Sequence, residues 1–219
     1  MKSPTLISES VLYKGKFRQL SLMTYKTDKN NEISIEKVES TNNVKQYPQF
    51  PSGVGIIAIT KKTRNILLIE NFRYPINKKC LEFPAGTIDE IEIIRNPNKS
   101  PVEVVIDACK RELKEETGYN GEFCTFLSMN NQFELFTYIY SDPWKSKDST
   151  AIALFSIDIE SQKEHKQELE NTEIIKTHFV QLDQLMPFII DKAINEDYAI
   201  RAELYSIACG INYNKIFNN

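Results

Sequence analysis

Residues 111–119 read Arg111-Glu112-Leu113-Lys114-Glu115-Glu116-Thr117-Gly118-Tyr119, and upstream residues 82–86 read Glu82-Phe83-Pro84-Ala85-Gly86. With Glu112 at zero and about 100° per residue, Glu116 falls near 40° and Glu115 near 300°, so the three acids share one side of a helix. On the same wheel Val102, Val105, Ile106, Cys109 and Leu113 fall between roughly 20° and 120°, and Glu112 and Glu116 border this core-facing stripe. Two carboxylates about 5 Å apart repel by about 3 kcal/mol at an effective dielectric near 20. Partial burial adds a desolvation cost. A hard divalent cation reverses the sign, and magnesium is usually held by a few carboxylates together with substrate phosphates. Taken alone, Arg-Glu-Leu-Lys-Glu-Glu is an ordinary solvated helix face with charge pairs. Its frame argues for more.

Ser100-Pro101-Val102-Glu103 is a capping-box start with proline at the first helical position, and Gly118 sits where a left-handed C-cap belongs. The helix is therefore bounded at both ends. Upstream, residues 65–72 and 80–83 read as strands, and Pro84-Ala85-Gly86 lets a strand end turn with its carbonyls exposed. Such a turn can offer a backbone oxygen to the same cation.

In these residues the chain resembles the Nudix hydrolase family, whose box runs glycine, five residues, glutamate, seven residues, then Arg-Glu-apolar-any-Glu-Glu-any-Gly-apolar. Gly86 opens the box, and Arg111 through Tyr119 match every fixed position of its second half. Counting forward from Gly86 puts the box glutamate at Glu92, whereas counting back from Arg111 puts it at Glu103, so 103 minus 92 implies an insertion of eleven residues. The stretch from Ile91 to Lys99, with Asn96-Pro97-Asn98, reads as a polar loop that lengthens the connection. Both glutamates stay open for the role.

Ile7-Ser8-Glu9, Gly15-Lys16-Phe17, Asn71-Phe72-Arg73-Tyr74-Pro75, Glu82 through Gly86 and Asp142-Pro143 look, in order and spacing, like the ADP-ribose (ADP-sugar) pyrophosphatase branch. The resemblance implies an α+β Nudix fold: a mixed β-sheet sandwiched between helices, with an N-terminal antiparallel β extension over residues 1–50 and the catalytic domain over 51–219. It implies that Glu112, Glu115 and Glu116 bind magnesium or manganese, with the Ala85 carbonyl as a further ligand, and that Arg111 orients the acids. Glu173-Ile174-Ile175-Lys176 resembles the segment carrying a glutamate that assists the attacking water, which selects Glu173, with Glu168 and Glu170 as rivals. Among substrate contacts, Phe17 matches an aromatic position that stacks on adenine, Arg73 could bind the diphosphate or terminal ribose, and Glu36 and Asp142 align near further contacts. Ile35 and Ser40 depart from an aromatic and an arginine position of the branch. The branch exchanges N-terminal strands between subunits, which implies a homodimer.

The 219 residues, 41% of them hydrophobic, suit one sizeable core. The first eleven residues lack an apolar stretch of signal-peptide length, and no apolar run approaches the roughly 18 residues of a membrane helix, so a soluble protein with no membrane partner is expected, and the cysteine usage adds the expectation of a cytoplasmic setting. Cys80, Cys109, Cys124 and Cys209 form no Cys-x-x-Cys pair and lie in apolar surroundings, which favours buried reduced thiols. A net charge of -3 without clustered basic residues argues against nucleic acid. His165 and His178 have no partner at metal-ligand spacing, and His178 is expected to serve packing.

Alternation predicts an antiparallel pair over residues 17–25 and 33–38, then strands over 53–60, 133–140, 151–159 and 174–182. Residues 182–195 and 198–210 carry helical spacing assigned to packing, and 161–171 reads as a mobile polar loop. The expected activity is metal-dependent hydrolysis of ADP-ribose or a related nucleoside diphosphate sugar to AMP and a sugar phosphate. The alternatives are a Nudix hydrolase for another nucleoside diphosphate derivative, such as an oxidised nucleotide, and a ligand-binding Nudix module without turnover.

Overall fold

The computed structural model describes residues 3–41, 47–127, 136–162 and 165–217. Three antiparallel strands come first, β1 (Thr5–Lys14), β2 (Arg18–Lys26) and β3 (Glu32–Ser40), forming a sheet of their own. Asn30, with φ of 61°, lets the chain reverse between β2 and β3. This sheet docks through its third strand, where Val38 N–H donates to the Lys145 carbonyl at 2.8 Å.

The second sheet is mixed. Its strands are β4 (Gly53–Thr60), β5 (Asn65–Arg73), β6 (Lys78–Glu82), β7 (Ala85–Thr87), β8 (Glu122–Phe126), β9 (Thr150–Ile157), β10 (Ile175–Gln181) and β11 (Ala199–Ile200). Strand β4 runs parallel to β9 along its whole length, from Gly53 opposite Thr150 to Thr60 opposite Ile157. One edge of β5 is taken by β10. Its other edge starts against β4, through Ala58 and Ile59, and continues against β6 from Ile69 onward. Because β4 leaves β5 after two pairs, the sheet splits. The chain from Glu82 to Gly86 crosses that split: Ile56 N–H donates to the Pro84 carbonyl at 2.8 Å, and β7 pairs with the start of β4.

Helix α2 (Pro101–Thr117) covers one face of the sheet, and α3 (Leu185–Asn195) and α4 (Ala202–Phe217) cover the other. Alternation along β4 feeds both layers, since Val54, Ile56 and Ala58 pack toward α2 while Ile57 packs toward α3 and α4. On α2 the buried residues are Val104, Val105, Ala108, Cys109, Glu112, Leu113, Glu116 and Thr117, the stripe expected from the wheel shifted by a fraction of a turn. Ser100 accepts from Glu103 N–H and Gly118 adopts φ of 78°, so both expected caps form.

Several expectations need correction. Residues 91–99 are not all loop: Glu90–Arg95 form a short helix, α1, whose Ile93 is buried in the α2 core. A six-residue helix is too short for periodicity to announce it. Strands β1 and β8 lie outside the stretches whose alternation predicts strands. Of the strand expected at 133–140, residues 133–135 lie outside the described residues, and in the rest Ile139 makes an isolated bridge to Thr150. The described part of 161–171 has neither helix nor strand. Cys80 and Cys109 are buried, but Cys124 is exposed. His178 does more than pack, because its Nε2 lies 2.9 Å from Glu70 Oε2, which Tyr198 also reaches at 3.0 Å. Among the described residues no helix is long and apolar enough to cross a membrane.

Phe155 of β9 has no exposed surface and stands edge-on to Phe123, with ring centroids 5.8 Å apart. Phe155→Ala is expected to lower the unfolding free energy by about 3–5 kcal/mol, read from urea melts of the metal-free protein. A loss below about 1 kcal/mol would mean that the layer between β9 and α2 can collapse into the cavity.

Candidate active site

Arg111 organises the exposed edge of α2. Its Nε donates to Glu92 Oε1 at 2.8 Å, its Nη1 to both Glu112 Oε1 and Glu115 Oε2 at 2.8 Å, and its Nη2 to the Thr87 carbonyl at 2.9 Å. One guanidinium thus ties α1, the end of β7 and three carboxylates together. The spacing left Glu92 and Glu103 open, and the geometry separates them. Glu92 reaches Arg111 from α1, while Glu103 closes its own cap by accepting from Ser100 N–H at 2.8 Å. Asp107, one turn before Arg111, pairs with Lys99 instead.

Glu112 and Glu116 are 8% and 2% exposed. Glu116 Oε2 accepts from Ala85 N–H at 2.8 Å, which anchors the carboxylate to the chain crossing the split sheet. Gly86 lies flat against Glu112: a Cβ there would stand 1.9 Å from the carboxyl carbon, so no side chain fits while that carboxylate keeps its place. Burial pushes the Glu112 carboxyl up to about 7, against the pull of Arg111, with Glu115 and Glu173 adding repulsion. Burial also raises Glu116 well above the usual carboxylate range, and Glu112 and Glu173 add to it. Ionising these two carboxyls therefore costs more in burial and mutual repulsion than their protein partners return.

Glu173 is brought here by the loop before β10. That loop lies along the end of α2, with Glu168 N–H donating to the Glu115 carbonyl at 2.8 Å, while Glu170 N–H donates to Glu173 Oε2 at 2.9 Å. Of the three acids considered, Glu173 is the one among the main charges acting on both Glu112 and Glu116.

Among the described residues no three His, Cys, Asp or Glu side chains converge in closed metal-ligand geometry. Glu112 and Glu115 turn to Arg111, and Glu116 turns to the Ala85 amide. The residues nevertheless suit a hard divalent cation. They are oxygen donors, two of them are buried beyond what their protein partners offset, and they share one helix edge.

The substrate candidates scatter. Arg73, at the end of β5, binds Glu82 through Nε at 2.8 Å and Nη2 at 2.7 Å. Phe17 is 69% exposed between β1 and β2, Glu36 is exposed on β3, and Asp142 pairs with Lys145. Among the described residues no hydrogen bond or ion pair joins these last three to α2. Sequence reasoning passed over Arg201 and Glu203, which with Glu82, Phe83, Ala85 and Gly55 line a pocket in the split. They sit at the start of a segment read only as packing, and no local pattern marks them.

The family model described as NUDIX domain matches residues 49–202. The chain is 31% identical over 166 residues to an ADP-ribose pyrophosphatase of Saccharomyces cerevisiae, across 73% of this chain and 62% of that protein. It is 30% identical over 202 residues to an uncharacterised Nudix hydrolase of Schizosaccharomyces pombe, across 90% and 87%. The crystal structure of an ADP compounds hydrolase superposes with a TM-score of 0.61 at 16% identity, covering 98% of this chain and 96% of that one, a likeness of fold. With the NUDIX domain model spanning α2, its arginine-bound carboxylates and the split sheet, the chain belongs to the Nudix family.

Proposed function

We propose that this protein hydrolyses the diphosphate linkage of ADP-ribose or a related nucleoside diphosphate sugar to AMP and a sugar phosphate, in a magnesium-dependent reaction. The observation that carries the reading is the α2 edge, where Glu112 and Glu115 bind Arg111, Glu116 binds the Ala85 amide, and Glu173 is among the charges acting on Glu112 and Glu116. The substrate class follows the ADP-ribose pyrophosphatase among the relatives.

A diphosphate resists water because its oxygens repel an incoming nucleophile. Glu112, Glu115 and Glu116, with the Ala85 carbonyl, would hold magnesium, or manganese, which supplies neutralisation of that charge and a more acidic water. Glu173 accepts the proton of the attacking water. Arg111 keeps the acids in register, and the Glu116 bond to Ala85 N–H aligns the turn with the helix. Arg73 offers its guanidinium to the diphosphate, and Phe17, Glu36 and Asp142 belong to the nucleoside grip.

Residues 1–50 form the extension that completes this grip in a homodimer, and the catalytic domain follows. Support for a second subunit comes from β1, every residue of which is exposed, including Leu6, Ile7, Val11, Leu12 and Tyr13. The buried free thiols of Cys80 and Cys109 favour a reducing, cytoplasmic setting.

The test is a magnesium-dependent panel of nucleoside diphosphate sugars and oxidised nucleotides with product analysis. ADP-ribose yielding AMP supports the reading. Turnover confined to oxidised nucleotides moves it to the other substrate class, and tight binding without hydrolysis would make the chain a ligand-binding module.

Glu116→Gln should cut turnover by orders of magnitude with the fold retained, because it removes a metal ligand; near-normal rates would refute the assignment. Glu173→Gln should slow turnover while magnesium affinity stays, and an unchanged rate would transfer the role to Glu170 or Glu168. The raised Glu112 value makes a pH prediction. A carboxyl whose folded pKa lies above its unfolded one contributes stability that is complete below the ordinary carboxylate range and is lost as pH rises through about 7. In EDTA the protein should therefore be less stable at pH 8 than at pH 5, by up to about 3 kcal/mol. Magnesium should flatten the difference and Glu112→Gln should reduce it, the remainder belonging to Glu116, and urea midpoints at the two pH values measure it.

A further inference from the structure

Strand β11 lies parallel to β6, with Ala199 opposite Cys80 and Ile200 opposite Leu81. Arg201 N–H continues the ladder to the Leu81 carbonyl at 3.1 Å, so Arg201 is next in register and falls beside Glu82. By the two-residue alternation of strands, it shares the face on which Cys80 and Glu82 stand. The chain then enters α4, whose first turn is fixed when Tyr205 N–H donates to the Arg201 carbonyl at 3.0 Å. The backbone of Arg201 is thus held by the sheet on one side and by the helix on the other.

Its side chain is held as firmly. Arg201 Nε and Nη2 donate to Glu203 at 3.2 and 3.1 Å, and Ser141 Oγ donates to the same carboxylate at 3.0 Å. Arg73 is gripped in the same manner by Glu82, through Nε and Nη2. Glu82 is only 1% exposed, and Arg201 Nη1 approaches it at 3.5 Å, so two guanidiniums share one buried carboxylate. A guanidinium has five N–H donors. Among the described residues Nη1 of Arg73 donates to nothing, and Nη1 of Arg201 has only that long approach. The side chains keep 37% and 40% exposure. Arg201 and Glu203 line the pocket with Gly55 and Ala85, and Ala85 is hydrogen-bonded to Glu116. Through Ala85 the pocket adjoins the carboxylate edge, and Glu116 is among the charges acting on Arg73.

We infer that Arg201 is a substrate-binding residue, which with Arg73 forms a clamp of two guanidiniums for the anionic oxygens of the nucleotide diphosphate. Glu82 and Glu203 aim the two forks and leave one edge of each for the ligand. The clamp rests on the proposed diphosphate hydrolysis and adds to it a second cationic contact, delivered from the C-terminal helix. Two like charges flanking one carboxylate repel each other, and a bound anion between them relieves that repulsion. An arginine kept only to pin α4 onto β6 would have no such stake in the ligand.

The experiment compares wild type with Arg201→Gln and Arg201→Lys, using the diphosphate substrate that the wild type turns over best. That choice keeps the failure of the clamp distinct from a failure of the substrate assignment, which the wild-type panel alone decides. Arg201→Gln should raise KM by about ten- to a hundredfold with kcat changed far less, since a charge-assisted contact present in both ground and transition states is lost. Titration calorimetry with that same substrate in EDTA should show the same loss of affinity without metal. Arg201→Lys should recover only part of it, because an ammonium cannot hold Glu203 with a fork and still present a second edge. Unchanged KM and unchanged metal-free binding in a folded Arg201→Gln would overturn the clamp. If that variant does not fold, Arg201→Lys decides: a KM raised at least several-fold supports the clamp, and a wild-type KM refutes it.

Discussion

The grip of Arg111 on three carboxylates and a backbone carbonyl is the interaction on which the site depends. Without it Glu92, Glu112 and Glu115 would face one another, with Glu116 and Glu173 nearby, in a place where water reaches Glu112 and Glu116 poorly. Replacing one partner of such a network leaves buried charge uncompensated, which costs more than the pair itself contributes. The arginine also joins elements distant in sequence. Through Glu92 it reaches α1, and through the Thr87 carbonyl it reaches the end of β7.

The second constraint is the early divergence of β4 from β5. Had the two strands paired along their length, the chain from Glu82 to Gly86 would have had no β4 edge to bind, and neither Ala85 nor Gly86 could meet α2. The split lets the Ala85 amide reach Glu116 and lets Gly86 lie against Glu112. It also opens the pocket that Arg201 enters from the far end of the chain. Fold and chemistry share one cause here, since the departure of a strand from its neighbour creates both the cleft and the positions that line it.

What could be read from the sequence was local. Helix α2 announces itself by its apolar period, its Ser100 cap and Gly118, and its acids fall on one edge by angle alone. Strands β4, β5, β6, β9 and β10 follow from alternation or short apolar runs, with no end displaced by more than two residues. What stayed hidden depends on partners far along the chain. Helix α1 is too short for a period, β11 has two residues, and the meeting of Arg201 with Glu82 needs the register of a parallel pair that no spacing reveals. His178 looked like a core residue because its strand is apolar, and only the fold brings Glu70 and Tyr198 to it.

The eleven extra residues between the two halves of the box leave the contact at Arg111 unbroken, because Glu92 counts from Gly86 while Glu112 and Glu115 count from Arg111. Each half carries its own partners to the meeting point, and the stretch from Asn96 to Lys99 merely has to span the distance. The motif is in this sense modular at its hinge. A pattern search that insists on a fixed gap would overlook chains of this kind, even when the spatial arrangement such a search stands for is intact.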